Sequence, residues 1–110
     1  MEKLVRGDVV VLPFPFSDLT QSKKRPALVV AGLQGEDIIL CQITSRKIKD
    51  KYSVIINDND FEIGVLNQIS NVRSNRIFTA DRRLILYRIG HLKAMKSEEV
   101  INRIISILHS

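Results

Sequence analysis

Through residue 90 the apolar residues come in short runs, each cut off by glycine, proline, serine, asparagine or aspartate, and only the last stretch carries a helical repeat. That segmentation limits the chain to many short strands followed by one helix. Asp8 to Leu12 (DVVVL) is rich in β-branched residues and stops at Pro13, which reads as a strand with a breaker behind it. The next segment, PFPFSDLTQSKKRP at 13–26, carries all three prolines together with Ser, Asp, Thr and Gln, and reads as a loop. Ala27 to Ala31 (ALVVA) is a short apolar strand, and GLQGED turns it back into a third strand from Ile38 to Thr44. A charged connection (SRKIKDK, 45–51) leads to a fourth strand, YSVII at 52–56, and NDND at 57–60 makes a turn. Asp58 and Asp60 hint at a calcium loop, but the glycine and closing glutamate of that loop are not at the required offsets.

NQISNVRS, RIFTA and LILYRIG then supply two or three further strands, with Asp81-Arg82-Arg83 as a bend. In the closing stretch SEEVINRIISILHS, Val100, Ile101, Ile104, Ile105 and Leu108 fall on one helical face. Ser97 is positioned to cap that helix, and Glu98 and Glu99 complement its positive end. The expected fold is mainly β: a small curled antiparallel sheet or barrel closed by a C-terminal helix, one domain over residues 1–110.

Charge narrows the partners. Lys plus Arg total 17 against 12 for Asp plus Glu, a formal net charge of +5, which suits a polyanion or simply keeps the protein soluble. Cys41 is the only cysteine, so neither an internal disulfide nor a cysteine-based zinc site is available, and within IILCQIT it reads as a small apolar residue. No run reaches the roughly 18 apolar residues of a membrane span, and MEKLVRGD has no signal-peptide core, so the expected compartment is the cytoplasm.

The cations cluster as Lys23-Lys24-Arg25, as Arg46-Lys47 with Lys49 and Lys51, and as Arg73-Arg76 followed by Arg82-Arg83. In a compact meander the entrance to the second strand and the exit of the third are neighbours, which brings the first two clusters together. Pro26 holds the backbone of Arg25 extended, so its guanidinium leaves from a defined position. Two readings are open for it: a rigid mount for a phosphate-facing charge, or an arginine snorkelling over the apolar strand. ITSR at 43–46 ends the third strand with two hydroxyls, Thr44 and Ser45, and a second guanidinium, Arg46; it is either a phosphate site or a turn. Phe14 and Phe16 either stack bases or anchor their loop. His91 and His109 have no partner implied by spacing and read as structural or surface residues, and no Gly-rich phosphate loop, metal-spaced cluster or nucleophile elbow is present.

With RGDVVVLPFPFSDLTQSKKRPALVV at 6–30, ITSR at 43–46, ISNVR to FTADRRLI at 69–85, and RIGHL leading into the final helix, the sequence resembles the MazF/PemK family of toxin–antitoxin ribonucleases over nearly its whole length. It departs at Gln21, where many relatives carry glycine, and before Ser70, where NQI lacks a frequent proline. The resemblance implies an SH3-like curled antiparallel β-barrel with a C-terminal helix, a homodimer, and cleavage of single-stranded RNA without metal or cofactor. It assigns Arg25 and Thr44 to the scissile phosphate. Lys23, Lys24, Ser45, Arg46 and Lys47 follow as RNA contacts, as do Phe16, Ser70 and Arg73, and an acidic antitoxin would occupy the same basic groove. The architecture is shared with toxins resembling the gyrase poison CcdB, so a non-catalytic inhibitor is the alternative, followed by a degenerate member that only binds RNA or antitoxin. The arginine–threonine pair favours the ribonuclease.

Overall fold

The computed structural model describes residues 3–14 and 23–110. The strands are β1 (Asp8–Phe14), β2 (Lys23–Gly32), β3 (Asp37–Thr44), β4 (Ser53–Ile56), β5 (Phe61–Ile63), β6 (Ser70–Asp81) and β7 (Tyr87–Leu92), and helix α1 (Ala94–Leu108) follows. They form one antiparallel sheet in the order β4-β6-β3-β2-β1-β7-β5, a curled half-barrel.

The central strands are apolar at successive positions because both of their faces are covered. On one face Val9, Leu28, Val30, Cys41 and Ile43 pack with Val54, Ile56, Val72 and Leu92 under Val100 and Ile104 of α1. On the other, Val10, Leu12, Ala27, Val29, Ile38 and Leu40 pack with Ala80, and Leu4 and Ile85 close over them. Curling on this second face is strong enough that the ring of Phe14 on β1 lies 5.5 Å from that of Phe78 on β6, across the two intervening strands.

Cys41 sits wholly inside the first layer, and burial pushes its thiol up to about 12. Raising a thiol pKa favours the neutral form in the folded chain. The contribution to stability is therefore complete below the ordinary thiol range and lost as pH climbs from there toward 12. Folded protein should leave Cys41 unlabelled by iodoacetamide at pH 8, with full labelling appearing only in denaturant; rapid labelling of native protein would contradict this packing.

Several sequence expectations are corrected. β2 begins at Lys23, four residues before the apolar run, so Arg25 lies within a strand, with Leu12 of β1 opposite it. The region read as two strands from Asn67 to Ala80 is the single long β6. Between the pairs Cys41↔Ile77 and Ile43↔Val72, β3 advances two residues while β6 advances five, so a bulge falls within the polar stretch Arg73 to Arg76, which resembles a break in the sequence. The NDND turn is a 3-10 turn, Asp58–Asp60, closed by a reciprocal Asn57–Asp60 capping box.

β5 has only three residues and one buried side chain, too little alternation to show in the sequence. It approaches β7 through a glycine pair. A Cβ on Gly64 would run into the carbonyl of Ile89, and one on Gly90 into that of Ile63; Gly64 also holds a φ of +79°. Helix α1 starts a turn earlier than expected, at Ala94. Lys93 is its N-cap residue, with no side-chain cap, and the Lys93 N–H donates to the Asp60 carbonyl at 2.8 Å. Ser97 is therefore not a cap but a buried residue of the helix interior, about one turn ahead of Val100 and two ahead of Ile104. His91 is inside β7, and its Nδ1 lies 2.8 Å from Oδ1 of the fully buried Asp8, a partner 83 residues away that spacing could not reveal.

Candidate phosphate-binding cleft

The second face changes character along its strands. Near the middle it is dry core. Toward the ends of β1 and β3 and the start of β2 it opens into a cleft of about 260 Å³. The antiparallel register makes this inevitable: Ala27 pairs with Gln42, and continuing two residues outward sets Arg25 opposite Thr44. Because side chains alternate across a strand, Arg25 and Ala27 share a face with Gln42 and Thr44. All four line the cleft with Phe14, Phe78, Arg46 and Arg73.

The polar rim is locally braced. The Thr44 hydroxyl accepts the Arg46 N–H at 3.2 Å, and the Asn71 side-chain amide donates to the Arg46 carbonyl at 2.9 Å. Asn71 is buried and stands opposite Thr44 in the β3–β6 register. The backbone of residue 46 is thus held at both ends, and its exposed guanidinium projects from a fixed base.

Arg73 is mostly buried in the cleft wall. Its terminal nitrogen lies 3.5 Å from Asp50 Oδ2, while its Nε is buried with no hydrogen-bond partner among the described residues. Asp50 Oδ1 meanwhile accepts the N–H groups of Tyr52 (2.9 Å) and Ser53 (3.1 Å). Desolvation pulls this carboxyl upward, but those hydrogen bonds and the Arg73 charge outweigh it and hold the group below the usual carboxylate range. Asp50 stays ionised and orients Arg73.

No acidic side chain is among the described residues lining the cleft, whereas three guanidiniums are. A guanidinium is always charged and matches the spacing of phosphate oxygens, so the chemistry favoured here is the binding of a phosphate group and the neutralisation of charge that develops on it. The remaining sequence candidates lie elsewhere. Lys23, Lys24, Ser45 and Lys47 are exposed near the rim without lining the cleft. Ser70 is buried outside the cleft, because it shares the inward-facing side of β6 with Val72 and Ser74. Phe16 lies outside the described residues.

The third cation cluster is divided. Arg73 joins the cleft, but Arg83 pairs with Asp81 through contacts of 2.7 and 3.0 Å, and Arg82 stands 4.0 Å from Glu36. The side-chain hydrogen bond from Arg83, its backbone N–H and its charge bring Asp81 down to about 2. Gln42, Asn71, Phe78 and Asp50 were not picked out by sequence reasoning. A polar residue interrupting an apolar strand, as Gln42 does in IILCQIT, was the one available signal.

A curled antiparallel half-barrel, with a cationic cleft where β2 starts and β3 ends and no acidic side chain among the described residues lining it, defines a small β-rich protein with a site suited to an anion. The chain belongs to the PemK-like, MazF-like toxin family of type II toxin–antitoxin systems, whose family model matches residues 5–108. In fold it is similar to MazF of Deinococcus radiodurans, with 24% identity, all of both chains covered and a TM-score of 0.75. It is also similar to the MazE–MazF complex of that organism, at 22% identity, 96% of each chain and a TM-score of 0.77. A third similar structure is an endoribonuclease in complex with its cognate antitoxin from a mycobacterial species, at 15% identity, 97% of this chain, 96% of that one and a TM-score of 0.77. No curated protein sequence matches the chain. Among the described residues no helix is long and apolar enough to cross a membrane.

Proposed function

We propose that this protein is the toxin of a toxin–antitoxin pair and acts as an endoribonuclease on single-stranded RNA, with the cleft as its active site. The observation that carries the reading is the shared lining of one cleft by Arg25 and Thr44, with Arg46 and Arg73 beside them.

In the proposed reaction the 2′-oxygen of the substrate attacks its own neighbouring phosphorus. A bond forms between phosphorus and the 2′-oxygen, the bond to the 5′-oxygen breaks, the 2′-hydroxyl loses its proton and the leaving oxygen gains one. The products are a 2′,3′-cyclic phosphate and a 5′-hydroxyl end. Because the nucleophile belongs to the substrate, the protein's task is alignment and charge neutralisation, which its own side chains supply without a metal. Arg25 stabilises the charge on the phosphorane and can donate toward the leaving oxygen. Thr44 hydrogen-bonds a non-bridging oxygen. Arg46 and Arg73 hold adjacent backbone phosphates, and the rim residues Lys23, Lys24, Ser45 and Lys47 guide the strand toward the cleft.

The antitoxin companions of similar structures support an antitoxin partner here, and the net charge of +5 favours an acidic one that covers the same groove. A homodimer completes the proposed assembly.

The test is incubation of the purified protein with mixed-sequence RNA in excess EDTA, followed by end-group analysis. Cleavage that survives the chelator and leaves cyclic phosphate and 5′-hydroxyl ends is expected. Intact RNA at stoichiometric protein, or activity restored only by a divalent cation, would overturn the mechanism; arrest of DNA supercoiling in its stead would select gyrase poisoning.

A further inference from the structure

We infer that the cleft has a second, uncharged end that reads a nucleobase, with Gln42 as the residue that sets base preference beside the scissile phosphate and Phe78 and Phe14 as its stacking wall. The inference rests on the RNA-cleaving reading above and deepens it.

Gln42 and Thr44 are on the same face of β3, two residues apart, so their Cα atoms are separated by about 6.8 Å. That is close to the span between a nucleotide's phosphate and its own base. Around Gln42 the face is apolar: Ala27 pairs directly with it, and Leu40 precedes it on the same side. The carboxamide is half-buried and makes no hydrogen bond with any described residue. A Leu or Val there would pack better against Ala27 and leave no polar group to satisfy. The amide is thus not explained by the fold. It presents one donor and one acceptor side by side into the cleft, the pattern that pairs with the edge of an unpaired base.

The aromatic pair agrees with this. Phe78 stands opposite Leu40 in the β3–β6 register, one step along from Gln42, and its ring meets that of Phe14 at 5.5 Å with a 53° tilt. Both are half-buried and both line the cleft together with Gln42, which gives its lining the aromatic character that suits a base. The lining combines charged and uncharged groups. The guanidiniums of Arg25, Arg46 and Arg73 line the same cleft, while Gln42, Phe14 and Phe78 carry none. A neutral planar group attached to a phosphate, which is a nucleotide, fits both.

The experiment uses the full chain and the near-isosteric variants Gln42→Leu and Gln42→Glu. Each is incubated with a randomised RNA pool, and the new 5′-hydroxyl ends are sequenced. The unaltered protein should show a base preference at one position flanking the cut. Gln42→Leu should relax it by about 10-fold or more at that position alone. Gln42→Glu, which offers acceptors only, should move it toward guanine, whose pairing edge presents two adjacent donors.

For a variant that does not cut, the same four-base comparison is made by affinity for short RNAs carrying a 2′-deoxy sugar at the cleavage site. An unchanged base preference in both variants overturns the assignment, as does a loss confined to antitoxin affinity. If the unaltered protein cuts no RNA, the ribonuclease reading itself fails; if it cuts and the variants keep its motif, only the base-reading inference does.

Discussion

Arg25→Ala, in a chain that still folds, should cut RNA about 10²–10³-fold more slowly, the cost of losing one preorganised donor aimed at developing charge. The loss should fall on kcat more than on KM. Arg46 and Arg73 still line the cleft and still attract the substrate phosphates, so ground-state binding largely survives. What vanishes is the one guanidinium fixed opposite Thr44. Neighbouring Lys23 and Lys24 cannot substitute, because neither lines the cleft. Arg25→Lys should recover only part of the rate, since a single ammonium lacks the planar fork. Arg25 is exposed, so its truncation leaves the melting temperature close to that of the parent. A folded Arg25→Ala protein that cleaves within about threefold of the parent would remove Arg25 from the transition state.

Arg25, Thr44 and Arg46 were legible in the sequence because consecutive antiparallel strands bring the start of one beside the end of the next. That convergence needs only strand order and a hairpin turn, and GLQGED supplies the turn. The helix was legible from its repeat, but its first turn was not. Ser97 looks like a cap, yet the helix begins where the Lys93 N–H meets the Asp60 carbonyl, a contact set by how β5 and β7 meet. Ser70 and Arg73 show the same limit from another side. Both lie in one polar-looking segment, but alternation along β6 sends Ser70 inward and Arg73 to the cleft. Asn71, Asp50 and Gln42 act through partners or surfaces that only the register and the bulge in β6 create, so a polar letter in a strand marked them without saying which way they face. Arg82 and Arg83 advertise a basic patch in sequence; Glu36 and Asp81 draw both into ion contacts in space.

The largest stability effect belongs to a residue with no part in cleavage. Asp8 is 0% exposed, and its carboxylate ties β1 to the N-terminal segment and to β7. Oδ2 accepts the Val5 N–H at 2.9 Å, while Oδ1 lies 2.8 Å from His91 Nδ1 and 3.6 Å from the Arg88 guanidinium. Helix α1 joins through Gly7, whose φ is +99°: a Cβ there would come within 2.9 Å of the His91 ring and 3.0 Å of the Ser97 hydroxyl. Asp8→Ala removes charge-assisted hydrogen bonds of about 1.5–3 kcal/mol and takes the acceptor from the part-buried Val5 N–H at a further ~1–3 kcal/mol, so the expected loss is about 2.5–6 kcal/mol. In a small domain that is a large share of the total. It should be read as a lowered denaturant midpoint at unchanged slope. Asp8→Asn keeps the volume and an acceptor for Val5 but loses the charge facing Arg88, so its cost should lie between the parent and Asp8→Ala. Asp8 starts β1 while Leu12 and Phe14 of the cleft wall lie at the other end, so about 13 Å of strand separates Asp8 from Leu12. At that separation the effects are independent: the folded fraction of Asp8→Ala should cut RNA at the parental rate, and the double variant should show the stability loss of Asp8→Ala and the rate loss of Arg25→Ala, each unchanged by the other. A drop in cleavage by fully folded Asp8→Ala would show that the buried carboxylate shapes the cleft as well as the fold.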